Sequence, residues 1–205
     1  CTYRIRKREI KNRIREFKEY MTSSEERIFA ELCFCLCTPQ SRATACWEAI
    51  STLSDNGLLY YGLEQEIAPF LRSVRYRRKK SGYIVAARDF FSSEGRLAIK
   101  ERLKTPKRIP ELREWLAREV KGLGLKEASH FLRNIGLGLE LAILDRHILK
   151  NLKKQEVIPD IPARLTKTEY EKIEGKMRSF AEKIGISMAE LDLLFWSMET
   201  GIVFK

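Results

Sequence analysis

The chain has 205 residues, 44% hydrophobic and 33% charged, with 39 Lys and Arg against 28 Asp and Glu for a net charge of +11. That length can bury a sizeable core in one large domain or two small ones, and the composition excludes a disordered chain. No apolar run reaches the length of a membrane span, so no membrane partner is expected. Residues 2–18 are too basic and too interrupted for a signal peptide, which makes a prokaryotic cytoplasm the expected compartment. There the abundant polyanion is nucleic acid, so the positive charge points to phosphate binding. The competing reading is a solvated, charge-rich surface of the kind found in heat-stable proteins.

In chain order, Ile10, Ile14 and Phe17 repeat at helical spacing, with Arg and Lys on the other faces. Ser23 and Glu26 have capping-box spacing ahead of an apolar helix running to about Cys37. Thr38-Pro39 predicts a new helix, with Thr38 as N-cap, Gln40 and Ser41 in its first turn, and Asp55-Asn56-Gly57 ending it. Cys33, Cys35 and Cys37 alternate, so on a helix they point three ways and cannot hold one metal. With Cys1 and Cys46 they read as small core residues rather than a disulfide framework. The run 75–80, Arg-Tyr-Arg-Arg-Lys-Lys, is a candidate phosphate footprint leading into the helical stripe Ile84, Ala87, Phe91. Pro110 opens a helix bearing Leu112, Trp115 and Leu116. Thr168 with Glu171, and Ser187 with Glu190, are read as caps of two final helices. No alternating stretch predicts a strand of any length, so the fold class is all-α. Pro159 and Pro162 suggest two helical subdomains, residues 38–150 and residues 1–37 with 151–205.

Chemistry concentrates in residues 120–149. Gly122-Leu123-Gly124 is a tight turn between helices. Its glycines let the backbone turn sharply, and the amides after Gly124 open a helix whose positive end attracts an anion. Such a helix–hairpin–helix, at about residues 110–136, is a plausible phosphate clamp, although ordinary helix turns also use glycine. Lys126 sits in the first turn of the new helix, where the amide field disfavours a second positive charge; a neutral lysine is a nucleophile able to form a Schiff base. The bland alternative is one more solvated lysine. Asp145 follows an apolar stretch and precedes Arg146-His147-Ile148-Leu149, so it reads as an N-cap. A capping carboxylate is held rigidly and can still turn its second oxygen to a ligand, where it would stabilise positive charge.

Taken together, Gly122-Leu123-Gly124-Leu125-Lys126, with Asp145 in Leu-Asp-Arg-His nineteen residues on, resembles the helix–hairpin–helix DNA glycosylases. Thr38-Pro39-Gln40-Ser41 and Lys205 at the end of the sequence extend the resemblance to the archaeal-type (type 2) 8-oxoguanine DNA glycosylase/AP lyases. The four-cysteine cluster of the endonuclease III branch is missing. The resemblance implies a monomeric base-excision repair enzyme acting on double-stranded DNA that contains oxidised guanine, with no cofactor and no metal. Its active site would lie in a cleft between the two subdomains. Lys126 and Asp145 would be catalytic, and Lys121, Gly122 and Gly124 would bind the DNA backbone. Lys205, Trp196, Gln40, Ser41 and Asp192 would recognise the base or the gap it leaves. From the residues alone, Trp196 is equally a core side chain, Gln40 and Ser41 equally caps, and His130 and His147 packed side chains. The alternatives are a non-catalytic helix–hairpin–helix DNA-binding protein and a glycosylase for another damaged base.

Overall fold

The computed structural model of the chain describes residues 2–104 and 108–205; Cys1 lies outside the described residues. The elements are α1 (Thr2–Glu19), α2 (Glu25–Cys37), α3 (Ala43–Asp55), α4 (Leu58–Tyr61), α5 (Glu64–Ile67), α6 (Arg77–Phe91), β1 (Ser92–Ser93), β2 (Arg96–Leu97), α7 (Ile99–Leu103), α8 (Ile109–Glu119), α9 (Leu125–Asn134), α10 (Arg146–Lys154), α11 (Lys167–Ile184) and α12 (Met188–Thr200). The fold is all-α apart from the two-residue hairpin β1–β2, which pairs Ser92 with Leu97 and Ser93 with Arg96. Its turn, Glu94-Gly95, has φ of 50° and 76°, the doubly left-handed conformation that tight hairpins favour. No helix among the described residues is long and apolar enough to cross a membrane.

Several helix ends differ from the sequence reading, each for a local reason. Ser24, not Ser23, caps α2 by accepting from Arg27 N; Ser23 N is already used, closing a turn on Tyr20 O at 3.0 Å. Thr166, not Thr168, caps α11 by accepting from Glu169 N. Thr38 starts no helix: its amide bonds back to Phe34 O and Cys35 O and its hydroxyl donates to Cys35 O, so it ends α2. Residues 39–42 then turn before α3 begins at Ala43. Ser187 with Glu190 forms the expected capping box on α12, Asn56-Gly57 ends α3, and Pro110 stands in the first turn of α8.

The chain divides by packing into two units. One joins α1 to Leu132–Lys205; the other is Tyr20–Phe131. The boundaries therefore fall near residues 19 and 131 rather than 37 and 150. The reason is visible in α2, which is buried on every face from Ile28 to Cys37 and so sits at the centre of the Tyr20–Phe131 unit, against α3, α6 and α7. There Phe34 meets Trp47 and His130 edge-on, with ring centroids 5.7 and 5.4 Å apart. Cys33, Cys35, Cys37 and Cys46 are buried free thiols, and burial pushes the Cys46 thiol up to about 11.

In the other unit α12 is the organising helix, with α1, α10 and α11 packed on it. Ile10 and Phe17 of α1 join Leu193, Leu194 and Val203 in one apolar cluster. Burying these side chains contributes roughly 1.5–3 kcal/mol each. Polar contacts fix the alignment: Tyr3 donates to Glu190 at 2.8 Å, and the Arg133 guanidinium lies 4.8 Å over the Phe17 ring.

Candidate active site

The hairpin is built by backbone geometry that only glycine tolerates easily. α8 gives way to extended Val120, Leu123 N bonds to Val120 O at 3.1 Å, and α9 begins two residues later. Leu123 is buried, which pins the turn. Gly122 has φ of +97°, and a Cβ there would come within 2.3 Å of the Tyr83 ring on α6. Gly122→Ala should therefore destabilise the hairpin by about 1–3 kcal/mol. The expected result is weaker binding to an abasic-analogue duplex in fluorescence anisotropy, alongside a lowered melting temperature. Unchanged affinity would remove the hairpin from the binding surface.

Lys121 is exposed on the turn, and Lys126 follows in the first turn of α9 with its side chain 23% exposed. Glu127, which the sequence reading passed over, touches both key groups. One carboxylate oxygen accepts from Gly124 N at 3.2 Å and the other pairs with Lys126 Nζ at 2.9 Å. The Gly124 amide is thus capped from within its own helix, and a phosphate reaching it has to exchange with the Glu127 carboxylate.

Asp145, in the unit that contains α12, caps α10 as its position suggested. His147 N and Ile148 N both donate to Oδ1 at 2.8 Å; Oδ2 takes part in neither bond. The approach to Asp145 is a buried, non-helical segment, residues 141–144, whose backbone polar groups need partners away from water. α11 supplies them. Ala142 N donates to Glu174 Oε2 at 2.7 Å, Tyr170 Oη donates to Ala142 O at 2.7 Å, and Leu144 N donates to Tyr170 Oη at 3.4 Å. Tyr170 and Glu174 are one turn apart on α11. Their i, i+4 spacing was a sequence signal, but a buried carboxylate cannot be told from a solvated one without its partner.

Gln40 and Ser41 lie in the turn after α2, not in a helix. Gln40 is exposed with φ of 55°, and Ser41 Oγ accepts from Arg75 N at 3.0 Å and from Lys80 Nζ at 3.2 Å. Residues 75–79 of the basic run are exposed, but Lys80 is buried and so is no phosphate ligand as folded. Trp196 is half-buried and stacks on Phe204, with ring centroids 6.0 Å apart and planes at 28°, which brings the Lys205 segment against α12. Asp192, expected among the base-reading groups, is 5% exposed and accepts from Arg133 Nη1 at 3.0 Å, an internal pair. Among the described residues no three His, Cys, Asp or Glu side chains gather so as to hold a metal ion.

A glycine hairpin opening a helix with a lysine in its first turn, together with a capping aspartate beyond that helix, defines the helix–hairpin–helix class. Residues 10–186 match the family described as 8-oxoguanine DNA glycosylase (Ogg-HhH), and the chain belongs to that family. It is 44% identical to the 8-oxoguanine DNA glycosylase/AP lyase of Fusobacterium nucleatum over 95% of this chain and 90% of that protein. It is 37% identical to the protein of the same name from Methanocaldococcus jannaschii over 96% of this chain and 91% of that protein. The crystal structure of the M. jannaschii 8-oxoguanine glycosylase/lyase in complex with a 15mer DNA containing 8-oxoguanine matches with a TM-score of 0.88 and 36% identity, covering 97% of this chain and 93% of that one. The 8-oxoguanine DNA glycosylase of Thermotoga maritima matches with a TM-score of 0.86 and 33% identity, covering 99% and 94%.

Proposed function

We propose that this protein excises 8-oxoguanine from double-stranded DNA and then cleaves the abasic strand, acting in the prokaryotic cytoplasm. The observation that carries the reading is the Gly122–Gly124 hairpin delivering Lys126 in the first turn of α9, beside a helix start whose positive end attracts an anion. The names of the relatives and the DNA bound in the M. jannaschii crystal support the substrate.

The chemistry follows from the residues. Turning the damaged nucleotide out of the duplex costs about a few kcal/mol, which phosphate contacts at Lys121 and the hairpin amides of Gly122 and Gly124 help to offset. Lys126 gives up a proton, for which Glu127 at 2.9 Å is a neighbouring acceptor, and its amine attacks the sugar C1′. The bond from C1′ to the base breaks and its electron pair leaves with the base, which is then protonated. Asp145 stabilises the positive charge that develops on the sugar, through the oxygen its cap does not use. Ring opening gives an imine between C1′ and Lys126. Loss of a C2′ proton and departure of the 3′ phosphate complete β-elimination, and water releases the lysine. Lys205, Trp196, Gln40 and Ser41 recognise the base or its gap, while Asp192 is engaged internally with Arg133.

Borohydride added during incubation with 8-oxoguanine duplex is expected to trap a covalent protein–DNA adduct. No adduct, with binding intact, would leave a DNA-binding module without chemistry. Adducts on other lesions and none on 8-oxoguanine would make it a glycosylase for a different base. Lys205→Ala should slow 8-oxoguanine excision about tenfold, the worth of one charge-assisted hydrogen bond, and spare cleavage at a preformed abasic site. Equal losses in both activities would make the segment a structural support.

A further inference from the structure

From sequence, Lys80 is the last member of a basic run, yet it alone of residues 75–80 is buried, 4% exposed. The cause is helical phase: Lys80, Ser81, Ile84, Ala87 and Phe91 share the inward face of α6. A buried ammonium is costly unless its three N–H donors are satisfied. Here each has a partner. Lys80 Nζ donates to Cys37 O and Pro39 O, both at 2.7 Å, and to Ser41 Oγ at 3.2 Å. Two of these acceptors are main-chain carbonyls, and Cys37 is the last residue of α2, where a helix end favours a cation. Cys46 Sγ donates to the same Cys37 carbonyl at 3.2 Å.

All three acceptors belong to residues 37–41, and they bracket Gln40. Its φ of 55° is a left-handed conformation for a side-chain-bearing residue, which persists only where the surroundings over-determine it. Those surroundings are the Lys80 clasp on either side and Arg75 N on Ser41 Oγ at 3.0 Å. The clasp faces inward and the Gln40 side chain faces solvent. Burial lowers the Lys80 pKa from its ordinary value, with Lys126 lowering it further and Cys37, Cys46 and Glu127 acting the other way, so the cation shares the electrostatic environment of the hairpin lysine.

We infer that Lys80 is a positioning residue: it fixes the 37–41 turn so that Gln40 is held in its left-handed conformation, ready to meet the lesion strand. The inference rests on the proposed role of Gln40, and the test separates the two. Single-turnover excision on 8-oxoguanine duplex is measured for the native protein, Gln40→Ala, Lys80→Met and the double variant. Gln40→Ala should cost about tenfold in the native background and about threefold or less beside Lys80→Met, because coupled neighbours are non-additive. Ser41→Ala, which removes one acceptor and keeps the buried cation, provides a second cycle with the same expected loss of coupling if Lys80→Met does not fold. Equal losses from Gln40→Ala in every background would overturn the positioning role, leaving Lys80 a packing residue. A silent Gln40→Ala in the native background would instead overturn the role of Gln40, and the inference with it.

Discussion

Lys126→Gln should bind 8-oxoguanine duplex and form no borohydride-trapped adduct. Glutamine keeps the helix, can accept or donate at the position of the ammonium, and removes the amine proposed to form the imine. The excision rate should fall by about a thousandfold or more, as when the nucleophile of a catalytic unit is removed. Binding should weaken little, because one charge is lost from a chain with a net charge of +11. The slope of log affinity against log salt should shrink by about 0.9 if Lys126 neutralises a phosphate, and stay constant if it does not. Glu127 loses its ion-pair partner but keeps its bond to Gly124 N, so the hairpin remains capped. Trapping at normal yield would sink the assignment of Lys126, and loss of binding in parallel with loss of trapping would make Lys126 a part of the grip instead.

Asp145→Asn should separate the two jobs of that carboxylate. Asparagine is as good an N-cap as aspartate, so its side-chain oxygen can keep the bonds from His147 N and Ile148 N. The fold should lose less than about 1 kcal/mol, read as a small shift in denaturant midpoint. The negative charge is gone, however, and base excision should slow by about 10²- to 10³-fold, the usual cost of removing one preorganised electrostatic group. Asp145→Ala should show the same kinetic loss plus the loss of the cap. Unchanged single-turnover excision in the asparagine variant would make Asp145 purely structural.

Local signals were legible and distant ones were not. The Gly122–Gly124 turn, the Ser187 capping box and the Asp145 cap are each written within a few residues, and the structure places them as read. Thr38 misled because Thr-Pro also suits the residue that ends a helix; which role it takes depends on whether its amide is already bonded backward, as it is here. Lys80 misled because charge is a property of the residue while burial belongs to its neighbours, here the end of α2 contributed from some forty positions earlier. Tyr170 and Glu174 were overlooked for the same reason: on α11 alone they are two polar residues on a helix, and it is the backbone of Ala142 and Leu144 that gives them their place. The unit boundaries likewise depend on α2 being buried on all sides from Ile28 to Cys37, a property of its neighbours that places it in the Tyr20–Phe131 unit.

The way α1 is paired sets an order on folding during synthesis. Tyr20–Phe131 is contiguous and can collapse on α2 once its own residues have left the ribosome. α1 emerges earlier, but its partner α12 begins only at Met188. At usual rates of translation that is a wait on the order of 10 to 30 s. Through that interval Ile10 and Phe17 have no core to enter. The closely spaced Arg and Lys on the other faces of α1 keep this apolar stripe dispersed by mutual repulsion until α12 arrives.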